Sequence, residues 1–287
     1  MAKFHIVADT SARLSNPKLW QSDSLTQAAN RLVYEDQVEF EDPQKPLQDY
    51  QAPFRDPNLT SVLAPSVEQM AAIYGQLYEH EVDQILSLHP SKAVGRSLQN
   101  ARTASERFLG RCDIHVIDSE TISAGLGMLI EASLEAAQKG ASLDDAVRLV
   151  RALIPRIYML FFQDDLTFLE RHGLITRSQA ILGNMLGVIA FLTMEDGRLI
   201  PMEKVRNRPK ALEKTVEFVA EFTQLERIAL LQPSSRPNED SNWIIERIQA
   251  LHPSTSISLA DYGPSSASLV GNNGLGLIVL ESEQEPL

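Results

Sequence analysis

A single cysteine, Cys112, stands in a chain of 287 residues. One thiol excludes an internal disulfide, and with only six scattered histidines it leaves no Cys/His spacing for a structural zinc site. Cys112 precedes the apolar stretch "DIHVID", where a buried structural thiol is expected. No apolar run approaches the roughly 18 residues of a membrane span. The opening "MAKFHIVADTS" lacks the apolar stretch and small-residue cleavage site of a signal peptide. Positive charge is also in short supply, with 26 Lys and Arg against 38 Asp and Glu, a net charge of −12. Such a surface repels phosphate backbones, so nucleic acid is not an expected partner. The phosphate-loop spacing and the Gly-x-Ser-x-Gly elbow are both missing. "GNNGLG" precedes a strand instead of a helix, which makes it a tight turn and not a dinucleotide fingerprint. A cytoplasmic location is expected, with no stable membrane insertion and at most transient membrane contact.

What remains is an ordinary globular composition, 44% hydrophobic and 22% charged, in a chain long enough for two domains. The first half alternates strand and helix. "FHIVAD", "EVDQILSLH" and "CDIHVID" read as buried strands, and helices follow at 66–80, 97–109, 123–140 and 142–157. Ser66 with Gln69 has the spacing of a capping box, and Ser142 caps the later helix. This alternation predicts a parallel sheet. Residues 31–60 are rich in Pro, Asp and Gln and read as irregular. In the second half "IAFLTMEDGRLIPMEKV" is a hairpin turning at Asp196-Gly197, set among helices and strands in an α+β pattern. The expected division is 1–158, an α/β domain, and 159–287, an α+β domain.

Several residues invite chemistry. In "HPSKAVGRSLQNA" (89–101) a strand passes through a one-glycine loop into a helix, the place where α/β proteins bind anions, and Lys92 and Arg96 add charge. Asp164 and Asp165 fit a helix N-cap, with a metal pair as the alternative. The glycines of "SAGLG" (123–127) fit close helix packing, with Asp118 as a cap nearby. His172 at a helix end complements the dipole, and Lys204, Arg206, Arg208 and Lys210 form a solvated basic face. An enzyme would require Asp9, Asp118, Asp164 and Asp165 to converge with Arg96 around a metal or phosphate.

Taken in order, several blocks resemble the DegV family of bacterial fatty-acid-binding proteins over nearly the whole chain. "IVADTSARL" is similar to the family's opening strand. "VIDSETISAGLGMLIEAS" is similar to its Gly-rich helix start, and "LTFLERHGLITRSQAILGNMLGV" to its arginine segment and following helix. "TMEDGRLIPMEKVRNRPKAL" resembles its signature hairpin. The resemblance implies the two-domain EDD fold with a lipid tunnel at the domain junction. It implies a non-catalytic binding subunit, with no metal or cofactor. The subunit buries a fatty acid or similar lipid and presents its carboxylate to an ATP-dependent fatty-acid kinase subunit. Carried over by position, the carboxylate site comprises Thr60, Ser61, Ser91 and Arg96. Arg171 serves the partner and phosphoryl transfer. Ile181, Leu182, Met185, Leu186 and Val188 line the acyl tunnel. The chain departs from the pattern at Val94, where the family has a serine, at Arg96 for a threonine, at Leu269 for a histidine, at Asn272-Asn273 for Pro-Gly, and at Ile189-Ala190 for Lys-Pro. The head site is therefore rewritten. Either Arg96 replaces the lost hydroxyls, or the chain carries a different lipid or anionic ligand without kinase coupling.

Overall fold

A computed structural model of the chain describes residues 4–234, 236–271 and 273–283. Asn272, one of the expected departures, lies outside the described residues. The first sheet holds β1 (His5–Asp9), β2 (Leu25–Ala28), β6 (Gln84–His89) and β7 (Asp113–Asp118), all parallel, in the order β2-β1-β6-β7. The predicted parallel sheet is present. The chain winds left from β1 to β2 and right from β6 to β7, so the strand order reverses between β1 and β6. Ligands of open α/β sheets bind at such a switch point, beyond the carboxyl ends of the strands.

Residues 31–60, expected to be irregular, instead contribute most of a small antiparallel sheet. β4 (Gln37–Phe40), β3 (Arg31–Tyr34) and β5 (Ser61–Leu63) lie in that order, with the short helix α1 (Ala52–Arg55) beside them. The strands were hidden because each is only three or four residues long and the segment's apolar residues, Leu32, Tyr50 and Phe54, close a miniature core across distant positions. α2 (Val67–Glu79) and α3 (Ser97–Ser105) cover one face of the parallel sheet, burying Met70, Tyr74, Ala101 and Ala104. The Ser66–Gln69 capping box is formed. α3 ends four residues short of the predicted 109 and gives way to a 3-10 turn.

α4 (Ser123–Gln138) and α5 (Leu143–Leu153) cover the other face. α4 is buried nearly all round because it also packs on the second sheet. Gly127 permits this: a Cβ there would stand 2.0 Å from the Arg13 carbonyl oxygen. Ser142 caps α5 as predicted. The second sheet has six strands, β8 (Ile157–Gln163), β9 (Ile189–Glu195), β10 (Arg198–Val205), β11 (Leu225–Gln232), β12 (Ser256–Asp261) and β13 (Leu275–Glu281), ordered β10-β9-β8-β13-β11-β12. The β9–β10 hairpin turns at Asp196 and Gly197, both with positive φ, the two-residue turn that suits the strand twist. α6 (Thr167–Arg171) and α7 (Arg177–Met185) follow β8, while α8 (Arg208–Ala220) and α9 (Glu239–Leu251) pack on the sheet's outer face. β12 and α10 (Pro264–Val270) were not foreseen, since "STSISLADYGPSSASLV" carries too few large apolar residues to show either period. Among the described residues no helix is long and apolar enough to cross a membrane.

Candidate functional site

A cavity of about 380 Å³ opens beyond the carboxyl ends of β1 and β6, at the switch point. That lies within the usual size range of ligand pockets. Asp9 ends β1 and lies at its base, fully buried. Its Oδ1 accepts from the Ser11 amide at 2.9 Å and Asn30 Nδ2 at 2.8 Å, and its Oδ2 accepts from Ser97 Oγ at 2.5 Å. Behind Ser97 a buried chain continues: Ser97 Oγ meets His89 Nδ1 at 2.8 Å, His89 Nε2 meets Ser87 Oγ at 2.8 Å, and Ser87 Oγ meets the Tyr74 hydroxyl at 2.8 Å. Burial pushes His89 down to about 4, against the pull of the Asp9 carboxylate, so the imidazole is neutral at pH 7. On the far side Glu41 is buried with Arg13 3.6 Å away and accepts from Asn30 and Ser265. Burial raises its pKa against these contacts. The acids of the cavity floor, Asp9 and Glu41, are thus held in a buried polar network, while Nε and Nη2 of Arg13 beside Glu41 have no hydrogen-bond partner among the described residues.

The walls are not satisfied. Ser11 and Ser123 line the cavity at 7% and 0% exposure, and neither hydroxyl has a partner among the described residues. Such groups cost about 1–3 kcal/mol each when left unpaired. Ser123 also carries φ +52, a left-handed conformation that serine rarely adopts and that costs roughly 1–3 kcal/mol. It opens α4. Neither α3 nor α4 has a side-chain N-cap, whereas α2, α5, α7, α8 and α9 all have one. The two uncapped long helices begin at residues that line this one cavity. Their free first-turn N–H groups and dipoles favour an anion there. Arg96, immediately before α3, and Arg31, on β3, complete the wall. Neither guanidinium has an ion pair or hydrogen bond with a described residue, and Arg31 Nε is shielded from solvent.

Of the expected head-site residues, the structure brings Arg96 to the cavity. Val94 and Leu269, the other two rewritten positions, line it as well. Thr60, Ser61 and Ser91 do not. Thr60 is buried, its hydroxyl donating to the Pro53 carbonyl at 2.6 Å. Ser61 is exposed on β5, pairing with Val33, though the next two residues of the strand line the cavity. Ser91 donates to the Gly197 carbonyl at 2.6 Å, tying the loop after β6 to the β9–β10 turn. Asn30, Arg31, Ser11 and Ser123 were missed as a group. "SAGLG" was noticed for its glycines, and only the contact of α4 with the 11–14 segment shows what its serine does.

Arg171 is exposed at the end of α6. It donates to the Pro57 carbonyl at 2.8 Å and to Asn58 Oδ1 at 2.5 Å, and lies over the Phe168 ring. The carboxylates of the enzyme reading stay apart. Asp118 accepts from the Lys92 and Glu120 amides, and Asp164 lies 4.0 Å from Arg208. Asp165 Oδ1 accepts from the Thr167 amide at 3.0 Å, although the N-cap position of α6 is Leu166 and not either aspartate as expected. Arg208 also pairs with Asp240 and Lys210 with Glu213, as a solvated face would. Among the described residues no cluster of acids, histidines or cysteine could hold a metal.

A second, more apolar opening of about 640 Å³ lies between α6, α7 and the β9–β10 hairpin. Leu182, Leu186 and Val188 line it, together with Leu166, Leu169 and Ile175. Ile181 and Met185, also expected along a tunnel, are exposed on α7, Met185 at 80%. α7 therefore turns an apolar face outward, with Gly183 packed against Leu166.

The family whose pattern matches residues 3–282 is described as "Uncharacterised protein, DegV family". A DegV domain-containing protein of Deinococcus radiodurans is 32% identical over 164 residues, 57% of this chain and 57% of that protein. Protein DegV of Bacillus subtilis is 25% identical over 222 residues, 76% of this chain and 78% of that protein. Among solved structures, a fatty acid binding DegV family protein of Streptococcus agalactiae superposes with TM-score 0.82 at 20% identity, covering 99% of this chain and 100% of that one. A DegV family protein of Eubacterium eligens loaded with heptadecanoic acid superposes with TM-score 0.78 at 14% identity, covering 97% of this chain and 100% of that one.

Proposed function

The chain belongs to the DegV family, and on that premise we propose that it is a binding protein for a fatty acid or similar amphiphile. Its head group occupies the cavity at the β1/β6 switch point and its acyl chain runs toward the apolar opening beside α7. The observation that carries this is the pair of buried hydroxyls without partners, Ser11 and Ser123, in a cavity where two long helices begin uncapped. An anionic head group would supply the acceptors that these donors lack. An acyl chain would contribute about 0.8 kcal/mol for each buried CH₂. The names of the structural relatives from Streptococcus agalactiae and Eubacterium eligens, which bind fatty acid, support the same class of ligand.

In this reading the chain has two domains dividing near residue 158, with the acyl path along their junction. It is not itself the catalyst. Arg171, exposed and bonded to the 57–58 loop, faces an ATP-dependent kinase subunit. Whether that partner acts on the bound carboxylate depends on Arg96, whose grip on the oxygens competes with their use as a nucleophile. The test is calorimetry on delipidated protein with hexadecanoate. One equivalent should bind, and Ser123→Ala and Arg96→Ala should each weaken it. A folded, delipidated protein that takes up no fatty acid overturns the proposal.

A further inference from the structure

We propose that the head cavity is built for a phosphate monoester carried on an alkyl chain, in preference to the carboxylate of a fatty acid. This rests on the cavity being the head site of an amphiphile. The argument is a count of donors. A carboxylate has two oxygens and about four acceptor sites. Arg96 alone, as a planar fork, engages both oxygens. Arg31 Nε, the Ser11 and Ser123 hydroxyls and the first-turn amides of α3 and α4 would then compete for what is left. A phosphate monoester offers three terminal oxygens and carries a charge of about −1.5 to −2 at pH 7. Arg31 and Arg96 on different elements can grip separate oxygens, and the serines and amides can share the third.

The surrounding charge agrees. Asp9 is the one carboxylate among the described lining residues, and it already accepts three hydrogen bonds. Glu41, the acid behind it, is beside Arg13. Neither compensates Arg31 or Arg96, which have no ion pair with a described residue. Val62, Leu63, Val94, Ile122 and Leu269 supply apolar lining in the same cavity. That lining favours a phosphate on a chain over free phosphate.

The experiment is calorimetry of the delipidated full chain with dodecyl phosphate, dodecanoate and inorganic phosphate. Dodecyl phosphate should bind about tenfold or more tighter than dodecanoate, with inorganic phosphate weakest. Arg31→Gln and Arg96→Gln should each bring the two amphiphiles to within about threefold, chiefly by weakening dodecyl phosphate. Arg96 is exposed, so its replacement keeps the test valid should the Arg31 variant fail to fold. Dodecanoate binding as tightly as dodecyl phosphate overturns the inference and leaves the amphiphile reading standing. Failure of both amphiphiles to bind folded protein overturns both. Inorganic phosphate binding as tightly as dodecyl phosphate upholds the phosphate chemistry and overturns its lipid source. A preference unchanged in both variants overturns the role of the arginines.

Discussion

The switch-point cavity and the opening beside α7 are unfinished in opposite ways. The cavity has hydroxyls, amides and guanidinium groups without acceptors. The opening has leucines without cover, on a helix whose own N-terminus is fully capped by the Thr176–Gln179 box. In the first, backbone and side-chain polarity is left open while the fold around it is closed. In the second, polarity is satisfied and apolar surface is left open. Each deficit is unfavourable alone, and each is what one end of an amphiphile supplies.

The comparison breaks most sharply if the apolar half can be made polar without effect. Leu182→Asp with Leu186→Asp places two carboxylates in the opening. Retention of hexadecanoate should fall by about a hundredfold or more, roughly 3 kcal/mol, while these exposed positions leave the melting temperature nearly unchanged. Unaltered retention by equilibrium dialysis would remove the acyl chain from this region. On the polar side, Gly127→Ala drives a Cβ into the Arg13 carbonyl and pushes α4 off the segment that carries Ser11. A loss of about 2–3 kcal/mol in urea unfolding is expected, together with weaker binding. Arg96→Ala tests the head group without touching the core. It should cost roughly 1.5–3 kcal/mol of affinity for an anionic amphiphile by calorimetry, and Arg96→Lys should recover only part.

The buried chain beneath the cavity predicts a pH dependence of stability. The folded state holds His89 at about 4, below the ordinary value of 6.5. Between those values the unfolded chain takes up a proton and the folded one does not. Stability should therefore be complete above pH 6.5 and fall as pH drops toward 4, by about 3 kcal/mol from this group. His89→Gln should flatten that part of the urea-melt profile between pH 7 and 4.5, and an unchanged slope would show that another group is responsible. The smallest effect is expected at Arg171→Ala. Its bonds go to the 57–58 loop and not to either opening, so lipid affinity should stay within about twofold and stability within about 1 kcal/mol. A large loss of bound lipid would bring Arg171 into the site.

Local signals were legible where a physical cause acts over a few residues. The capping boxes at Ser66 and Ser142 and the bond from the Thr167 amide to Asp165 follow from side chains reaching backbone two or three positions away, and the turn at Asp196-Gly197 from two adjacent residues that tolerate positive φ. The buried strands of the parallel sheet showed as apolar runs, and Arg96 was legible as a charge between a strand and a helix. The antiparallel sheet of 31–63 was not legible, because its short strands are fixed by pairing across up to 32 positions, as Arg31 with Leu63. Nor was the true fate of Thr60 and Ser91, whose hydroxyls look available in sequence and are bound to Pro53 and Gly197 in the fold.

The sequence by itself determined the parallel α/β half, the hairpin, the acidic balance and the rewriting of positions 94, 96 and 269, since composition and short-range periodicity are read from neighbours along the chain. Only the tertiary structure decided which polar groups are left without partners. Ser11, Arg31, Arg96 and Ser123 come from four separate segments. A hydrogen bond is satisfied or orphaned by what the packed chain brings within about 3 Å of it, and not by what lies beside it in sequence.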